Sequence, residues 1–359
     1  MRIIRHLIVA AAVLAVPAPA LAWDYPGHRL VGAVADLVLQ QYHPAAYAKI
    51  SALLETKAAD GTVVKRSLSQ VAVFPDCAKK GNEPYCGRPS SDEEKAYAAR
   101  NKRHDVFHYA DVPLQQTQYR LGSAGTDNSD VVQMIGYTVA QLRAKTEAER
   151  PKKIPGEVDL TDVEALWLLV HLVGDIHQPM HVGAKYYDWA CEKSVDPNEV
   201  GDPNKHFGIG TTVADTVGGN FILLQAPAPA VPPAPNLHFY WDGAAVAQAM
   251  RSAGLGYSEA DFAKLLAALP PQGWQTAGAP DTWARQWADE IMPLAVQAHV
   301  RLQISKGNKP PPFPGHGNCV WNATLDQDYQ DWASARAREQ VAKAGFRLAA
   351  LLAAIFEQP

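Results

Sequence analysis

The chain has 359 residues, 47% apolar and 19% charged, a composition that excludes a disordered or fibrous protein and fits a globular one with a sizeable core. Its 33 Lys and Arg against 37 Asp and Glu leave a net charge of -4, which alone does not suggest a nucleic-acid partner. Beyond the N-terminal stretch no segment reaches about 18 uninterrupted apolar residues, so no membrane span is predicted.

Residues 1–22 carry Arg2 and Arg5, an apolar run from Leu7 to Val16, and "PAPALA" ahead of Trp23. That is the pattern of a secretory signal peptide, so the mature chain is expected to start at Trp23, with a net charge of -6. After Gly27, apolar residues fall at Leu30, Val31, Val34, Val38 and Leu39, one face of a helix that stops before Pro44. Thr161 followed by Glu164 makes a capping box for a helix containing Trp167, Leu168, Val170 and Leu172, which Pro179 should end. The best strand candidate is "GGNFILLQ" at 218–225. Residues 183–217, "APAPAVPPAP" at 226–235 and "KGNKPPPFPGHGN" before Cys319 look like loops with polyproline character. A final helix spans about Trp332 to Phe356. There is no tandem repeat and no clear linker. The expectation is an all-α protein with one domain, 23–359, behind a leader at 1–22.

Four cysteines, Cys77, Cys86, Cys191 and Cys319, fit an oxidising compartment, and no CxxC pair points to a zinc-thiolate site. Three pairings are possible. The favoured one joins Cys77 to Cys86 across a Gly/Pro-containing turn and Cys191 to Cys319 between two loops.

The stretch "VHLVGDIHQPMH", Val170 to His181, places three histidines and an aspartate in an apolar run. His171 and Asp175 are four apart on the predicted helix and leave the same face, and His181 lies just past Pro179. His238 and Asp242 repeat the spacing in "NLHFYWDG"; His108 in "FHYAD" and Asp76 in "FPDC" are further candidates. A single His-x-x-x-Asp is more often a helix-surface ion pair. Two of them, one in an apolar helix where an unpaired aspartate would cost several kcal/mol, point instead to metal. Imidazole and carboxylate without thiolate suit zinc. His177 does not fit the spacing and is read as structural or exposed; His104 is set aside. His43, His206, His299 and His316 are assigned to solvated surface.

Trp23 with His28 five residues on, Asp76, "FHYAD", "HLVGDIHQPMH", "GGN" at 218–220 and "NLHFYWD" occur in this order. Together they resemble the zinc-dependent single-strand nucleases of the S1/P1 nuclease family, within the phospholipase C/P1 nuclease superfamily, and "AGFRLAALL" resembles that family's last helix. The resemblance implies a mainly helical domain with a cleft for three zinc ions. Asp76, His108, His171 and a bridging Asp175 would hold one. Trp23, through its α-amine and carbonyl, would hold a second with His28 and Asp175. His181, His238 and Asp242 would hold the third. It further implies an exported endonuclease and 3′-nucleotidase, secreted or periplasmic, that hydrolyses single-stranded DNA and RNA to 5′-phosphorylated products. Asp76, Lys79 and Asp175 would be catalytic, Tyr109 would stack a base, and Asp111 and Asn220 would read its edge. A monomer without a stable protein partner or membrane anchor is expected.

Two departures stand out. Phe-Pro replaces the family's usual Trp-Ala before Asp76, and an insertion containing Cys191 lies between His181 and Gly218. A zinc phospholipase C is a rival on the same fold, but by resemblance it has a longer Trp-to-His spacing and a Glu closing the second helical pair. Trp23 to His28 and Asp242 argue against it. A non-catalytic zinc or nucleotide binder is the rival of a different class.

Overall fold

The helix expected after Gly27 forms in the computed structural model as α1 (Tyr25–Tyr42), with Leu30, Val31, Val34, Val38 and Leu39 all buried. The structure describes residues 25–57, 61–79, 81, 86–152, 158–200, 213–225, 234–271, 273–308 and 319–357. Residues 1–22, expected as a leader, and Trp23 lie outside them, as do His206 and His316. Pro44 does not leave a loop behind α1; it opens α2 (Pro44–Leu53) from within its first turn, where a missing N–H costs nothing. The other helices of eight residues or more are α3 (Asp92–Arg100), α4 (Val131–Arg143), α5 (Asp162–Asp175), α6 (Ala245–Ser252), α7 (Glu259–Ala267), α8 (Trp283–Val300) and α9 (Gln327–Phe356).

The predicted capping box opens α5: Thr161 Oγ1 accepts the Glu164 N–H, and the Glu164 carboxylate accepts the Thr161 N–H. Every residue from Glu164 to Asp175 is buried, so α5 is the central helix, buried on all sides rather than on one stripe. It ends at Asp175, four residues before Pro179. The proline forces Gln178 into extended backbone (φ -96°, ψ 120°), and the chain has to leave the helix beforehand. The last helix begins five residues earlier than predicted, because Asp326 caps it by accepting the Tyr329 N–H.

Helices α1, α4 and α9 surround α5. The closest approach between α1 and α9 is at Gly345, where an added Cβ would sit 2.5 Å from the Val34 Cβ. Any side chain at 345 would push the two helices apart. Each fully buried leucine or valine in this core contributes roughly 1.5–3 kcal/mol.

The stretch 183–217, expected as loop, carries β4 (Gly183–Ala184), β5 (Tyr186–Asp188) and β6 (Val213–Asp215). They follow β1 (Glu55–Lys57), β2 (Val63–Lys65) and β3 (Val112–Pro113), and are followed by β7 (Ile222–Leu224), β8 (Ser305–Lys306) and β9 (Trp321–Ala323). Strands β5 and β6 pair antiparallel with Tyr186 opposite Asp215. Strands β3 and β4 pair in parallel, Val112 opposite Gly183. The "GGNFILLQ" candidate becomes β7, paired in parallel with β9. Cys77 is bridged to Cys86 and Cys191 to Cys319, so the insertion is pinned to the β9 sheet, where Tyr187 also stacks on Trp321 at 4.5 Å. Among the described residues no helix is long and apolar enough to cross a membrane.

Candidate metal centre and adjoining pocket

Five segments bring the sequence-predicted ligands together. His28 comes from the first turn of α1, Asp76 from the short helix Phe74–Cys77, and His108 ends a 3-10 turn. His171 and Asp175 lie one turn apart at the end of α5, and His181 closes the turn after it. His238 and Asp242 come from a short helix that widens into a π-turn over Tyr240–Ala244. All eight are buried.

Asp175 is the hub. Its Oδ2 lies 3.1 Å from His108 Nδ1 and 3.2 Å from His171 Nε2, while its Oδ1 lies 3.3 Å from His28 Nε2 and 3.8 Å from His181 Nδ1. Asp76 Oδ1 is 3.7 Å from His108 and 3.8 Å from His171. Asp242 is 3.7 Å from His181 and 3.5 Å from His238. Ligand atoms therefore converge in three groups: His28, His171 and Asp175; Asp76, His108 and His171; and His181, His238 and Asp242.

The hydrogen bonds behind the rings decide where their lone pairs point. A carbonyl only accepts, so His171 Nδ1 donates to Ala72 O at 2.6 Å, His181 Nδ1 to His108 O at 2.7 Å and His238 Nδ1 to Gly218 O at 2.9 Å. Each neutral ring then carries its lone pair on Nε2, facing inward. His181 Nε2 and His238 Nε2 face each other at 3.1 Å, and two lone pairs at that separation repel unless a cation lies against both. Buried His108 Nε2 and both His28 nitrogens have no hydrogen-bond partner among the described residues. This donor set fits metal ions of the zinc type.

The electrostatics of four of the five rings agree, while at His171 burial lowers the ring but the carboxylates of Asp175 and Asp76 outweigh it and raise the ring above the ordinary imidazole value. Burial, and then the neighbouring His171, lower His28 to about 4. Burial, and then Lys79, lower His108 to about 3. His181 and His238 are lowered chiefly by burial. These rings are neutral at physiological pH, the ligand form. Burial pushes Asp76 up, but Lys79 and the rings of His171 and His108 outweigh it and hold the carboxyl below its ordinary range. Lys79 Nζ contacts Asp76 Oδ1 at 2.8 Å and is itself largely covered.

The predicted base-site residues lie beside this cleft. The backbone from His108 to Val112 runs alongside 181–183, with Ala110 N–H donating to His181 O and Val112 N–H to Val182 O. Tyr109 is half-buried; Asp111 and Asn220 are buried. Asn220 Nδ2 donates to Val217 O at 2.9 Å. Asn220 Oδ1 and Asp111 Oδ2 have no hydrogen-bond partner among the described residues. Residues 217–219 all adopt positive φ (52°, 53° and 87°). A Cβ on Gly218 would meet Met180 O at 2.3 Å, and the Gly218 carbonyl orients His238, which explains the glycine.

Sequence reasoning missed two residues. Gln178 donates to Asp242 Oδ1 at 2.6 Å and accepts the Met180 N–H; its position within "HQPMH" was the available signal. Asp215, from the insertion, is buried near Asp111, and burial raises it to about 7 and Asp111 well above the carboxylate range, each disfavouring the other's charge. His299 is not on the surface: it is fully buried on α8 and donates Nδ1–H to Ala295 O at 2.8 Å. Its ring extends the apolar face formed by Trp287, Ile291 and Ala295. His177 is buried and structural, donating to Val173 O and accepting from Arg347. His43 is half-covered, with Glu357 at 3.2 Å.

The family model described as S1/P1 Nuclease matches residues 23–357. No curated protein matches the chain.

Proposed function

The chain belongs to the S1/P1 nuclease family, and on that premise we propose that it is an exported, zinc-dependent endonuclease and 3′-nucleotidase. In this reading it hydrolyses single-stranded DNA and RNA to 5′-phosphorylated products. The observation that carries it is the set of three buried His/Asp groups, one of them built on Asp175, with histidine lone pairs turned inward. Asp76, His108, His171 and Asp175 would hold one zinc, His28 and Asp175 a second together with the α-amine and carbonyl of Trp23, and His181, His238 and Asp242 a third. Bound there, zinc supplies an activated water and positive charge against the phosphodiester, which offsets the net negative charge of the protein.

The chain's own groups do the rest. Lys79 is held against Asp76, where its ammonium can meet charge developing on the phosphoryl oxygens. Tyr109 offers a ring for stacking, and the open acceptors of Asp111 and Asn220 can read a base edge. Only an unpaired base can enter such a pocket, so single strands are preferred. Removal of the leader frees the Trp23 amine and thereby completes the second site. The disulfides and the leader support export.

The test is a side-by-side assay of single-stranded DNA, RNA, 3′-nucleotides and phosphatidylcholine. Nucleic acids and 3′-nucleotides should be cleaved and the lipid should be a poor substrate; faster lipid hydrolysis would overturn the reading. Lys79→Ala should lower kcat by about 10²-fold. Tyr109→Ala should instead raise KM for oligonucleotides, losing roughly 1–3 kcal/mol per stacked base.

A further inference from the structure

Away from the metal cleft, a cavity of about 680 Å3 opens between the end of α1, the 267–276 segment, the start of α8 and the outer face of α9. Its walls are mainly apolar and aromatic, with Tyr42, Trp274, Trp283 and Phe346 among them. Among the described residues no aspartate or glutamate lines it; the charged or titratable residues in its lining are Arg347 from α9, His43 from the α1–α2 junction and Tyr42 from the end of α1. His43 is already engaged with Glu357.

Arg347 is built into the cavity wall. The residue is 5% exposed, its Nε donates to Trp274 O at 3.0 Å, one terminal nitrogen donates to His177 Nε2 at 3.1 Å, and the other bonds Glu290 at 2.5 Å. A guanidinium has five N–H groups, so one on each terminal nitrogen is left without an acceptor among the described residues. Glu290 is also shared with Lys343 at 2.6 Å. His177 accepts from Arg347 and is therefore neutral there. Two buried cations thus stand against one carboxylate, leaving an excess positive charge behind an apolar chamber.

We propose that this cavity binds a small amphipathic anion, an apolar body carrying one carboxylate, with its head group on Arg347 and its body among Trp274, Trp283, Tyr42 and Phe346. The volume is in the range of small-ligand sites, and a carboxylate would take the two uncommitted donors as charge-assisted hydrogen bonds. The proposal is independent of the reaction at the metal cleft.

The experiment uses the mature, zinc-loaded protein with anilinonaphthalene sulfonate as a fluorescent reporter, displaced by octanoate or naphthalene carboxylate and by the matching neutral alcohols. Either acid should displace the reporter at concentrations about tenfold or more below its alcohol. Octanoate acting alone identifies a chain-shaped ligand, the naphthalene acid alone a flat one, and both support the site. Ala350→Trp, an exposed change in the wall of the cavity, should weaken the acids by about tenfold or more while zinc content stays unchanged. Arg347→Gln should abolish the preference of acid over alcohol; if that variant fails to fold, Ala350→Trp still decides. Alcohols as potent as acids, or displacement unaltered by Ala350→Trp, would overturn the proposal.

Discussion

Two buried clusters flank the C-terminal end of α5, and they are satisfied in opposite ways. In the metal cleft three aspartates face five histidines whose free nitrogens point at one another or at carboxylates, with buried atoms of His28, His108 and Asp175 left without hydrogen bonds. Around Arg347, by contrast, Glu290, Lys343, His177 and the Trp274 carbonyl are all joined by hydrogen bonds, and the surplus is positive. Asp175 and His177 are only two positions apart and both buried, so burial alone does not explain the difference. A cluster of acceptors held apart by backbone carbonyls is arranged for a cation, whereas one joined internally through Glu290 ties α8 to α9 and keeps two N–H donors of Arg347 in surplus.

The comparison can be broken most forcefully at its hub. Asp175→Ala removes the carboxylate that faces His28, His108, His171 and His181, so bound zinc should fall and nuclease turnover should drop by orders of magnitude. Elemental analysis alongside kinetics tests this, and full zinc content in the variant would contradict the hub role. Next comes one glycine placed ahead of Trp23: an amide nitrogen is a poor ligand, so zinc at the second site and turnover should both fall relative to the mature protein. Equal values in the two proteins would remove Trp23 from the ligand set.

The other cluster should answer in stability rather than chemistry. Glu290→Ala leaves Lys343 and Arg347 without their shared carboxylate. Glu290 is partly exposed, so the loss should be about 1–3 kcal/mol, between surface and fully buried pairs, with zinc content unchanged. Denaturant unfolding measures it; lost zinc with unaltered stability would reverse the assignment.

The smallest effect concerns Asp36 on α1, which belongs to neither cluster. Burial raises its pKa to about 7 despite backbone hydrogen bonds from Leu68 and Ser69. The folded state therefore keeps a proton that the unfolded chain releases from about pH 4 upward, and stability falls as pH rises from there to about 7. Asp36→Asn removes that loss. Melting temperatures should match the parent near pH 4 and exceed it by a few degrees near pH 8; the same difference at both would rule out titration as the cause.

Much of this was legible in the sequence, for reasons that differ by residue. His171 and Asp175 declare themselves because a spacing of four on an apolar helix puts both on one face. The capping box at Thr161 marks the helix that carries them. The β5–β6 hairpin stayed hidden because strands of three residues show no alternation to read. Gln178 and Asp215 act through partners distant in the chain, Asp242 and Asp111; only the place of Gln178 within "HQPMH" hints at a role, and nothing local announces Asp215. His299 was misplaced because its buried setting comes from the face of α8 rather than from any motif. The Arg347 network joins residues 57 and 170 positions apart, a pairing only the fold creates.

The tight seam at Gly345 and Val34 carries a consequence for the timing of synthesis. His28 rides on α1, one of the first described elements to leave the ribosome, yet α9, the helix that lies against α1, follows every other described element. Pairing elements so far apart in sequence is slow relative to local helix formation. A nascent chain that has not yet made α9 lacks the helix that packs against α1 at Val34, so the element carrying His28 gains this support only once the rest of the described chain has been made.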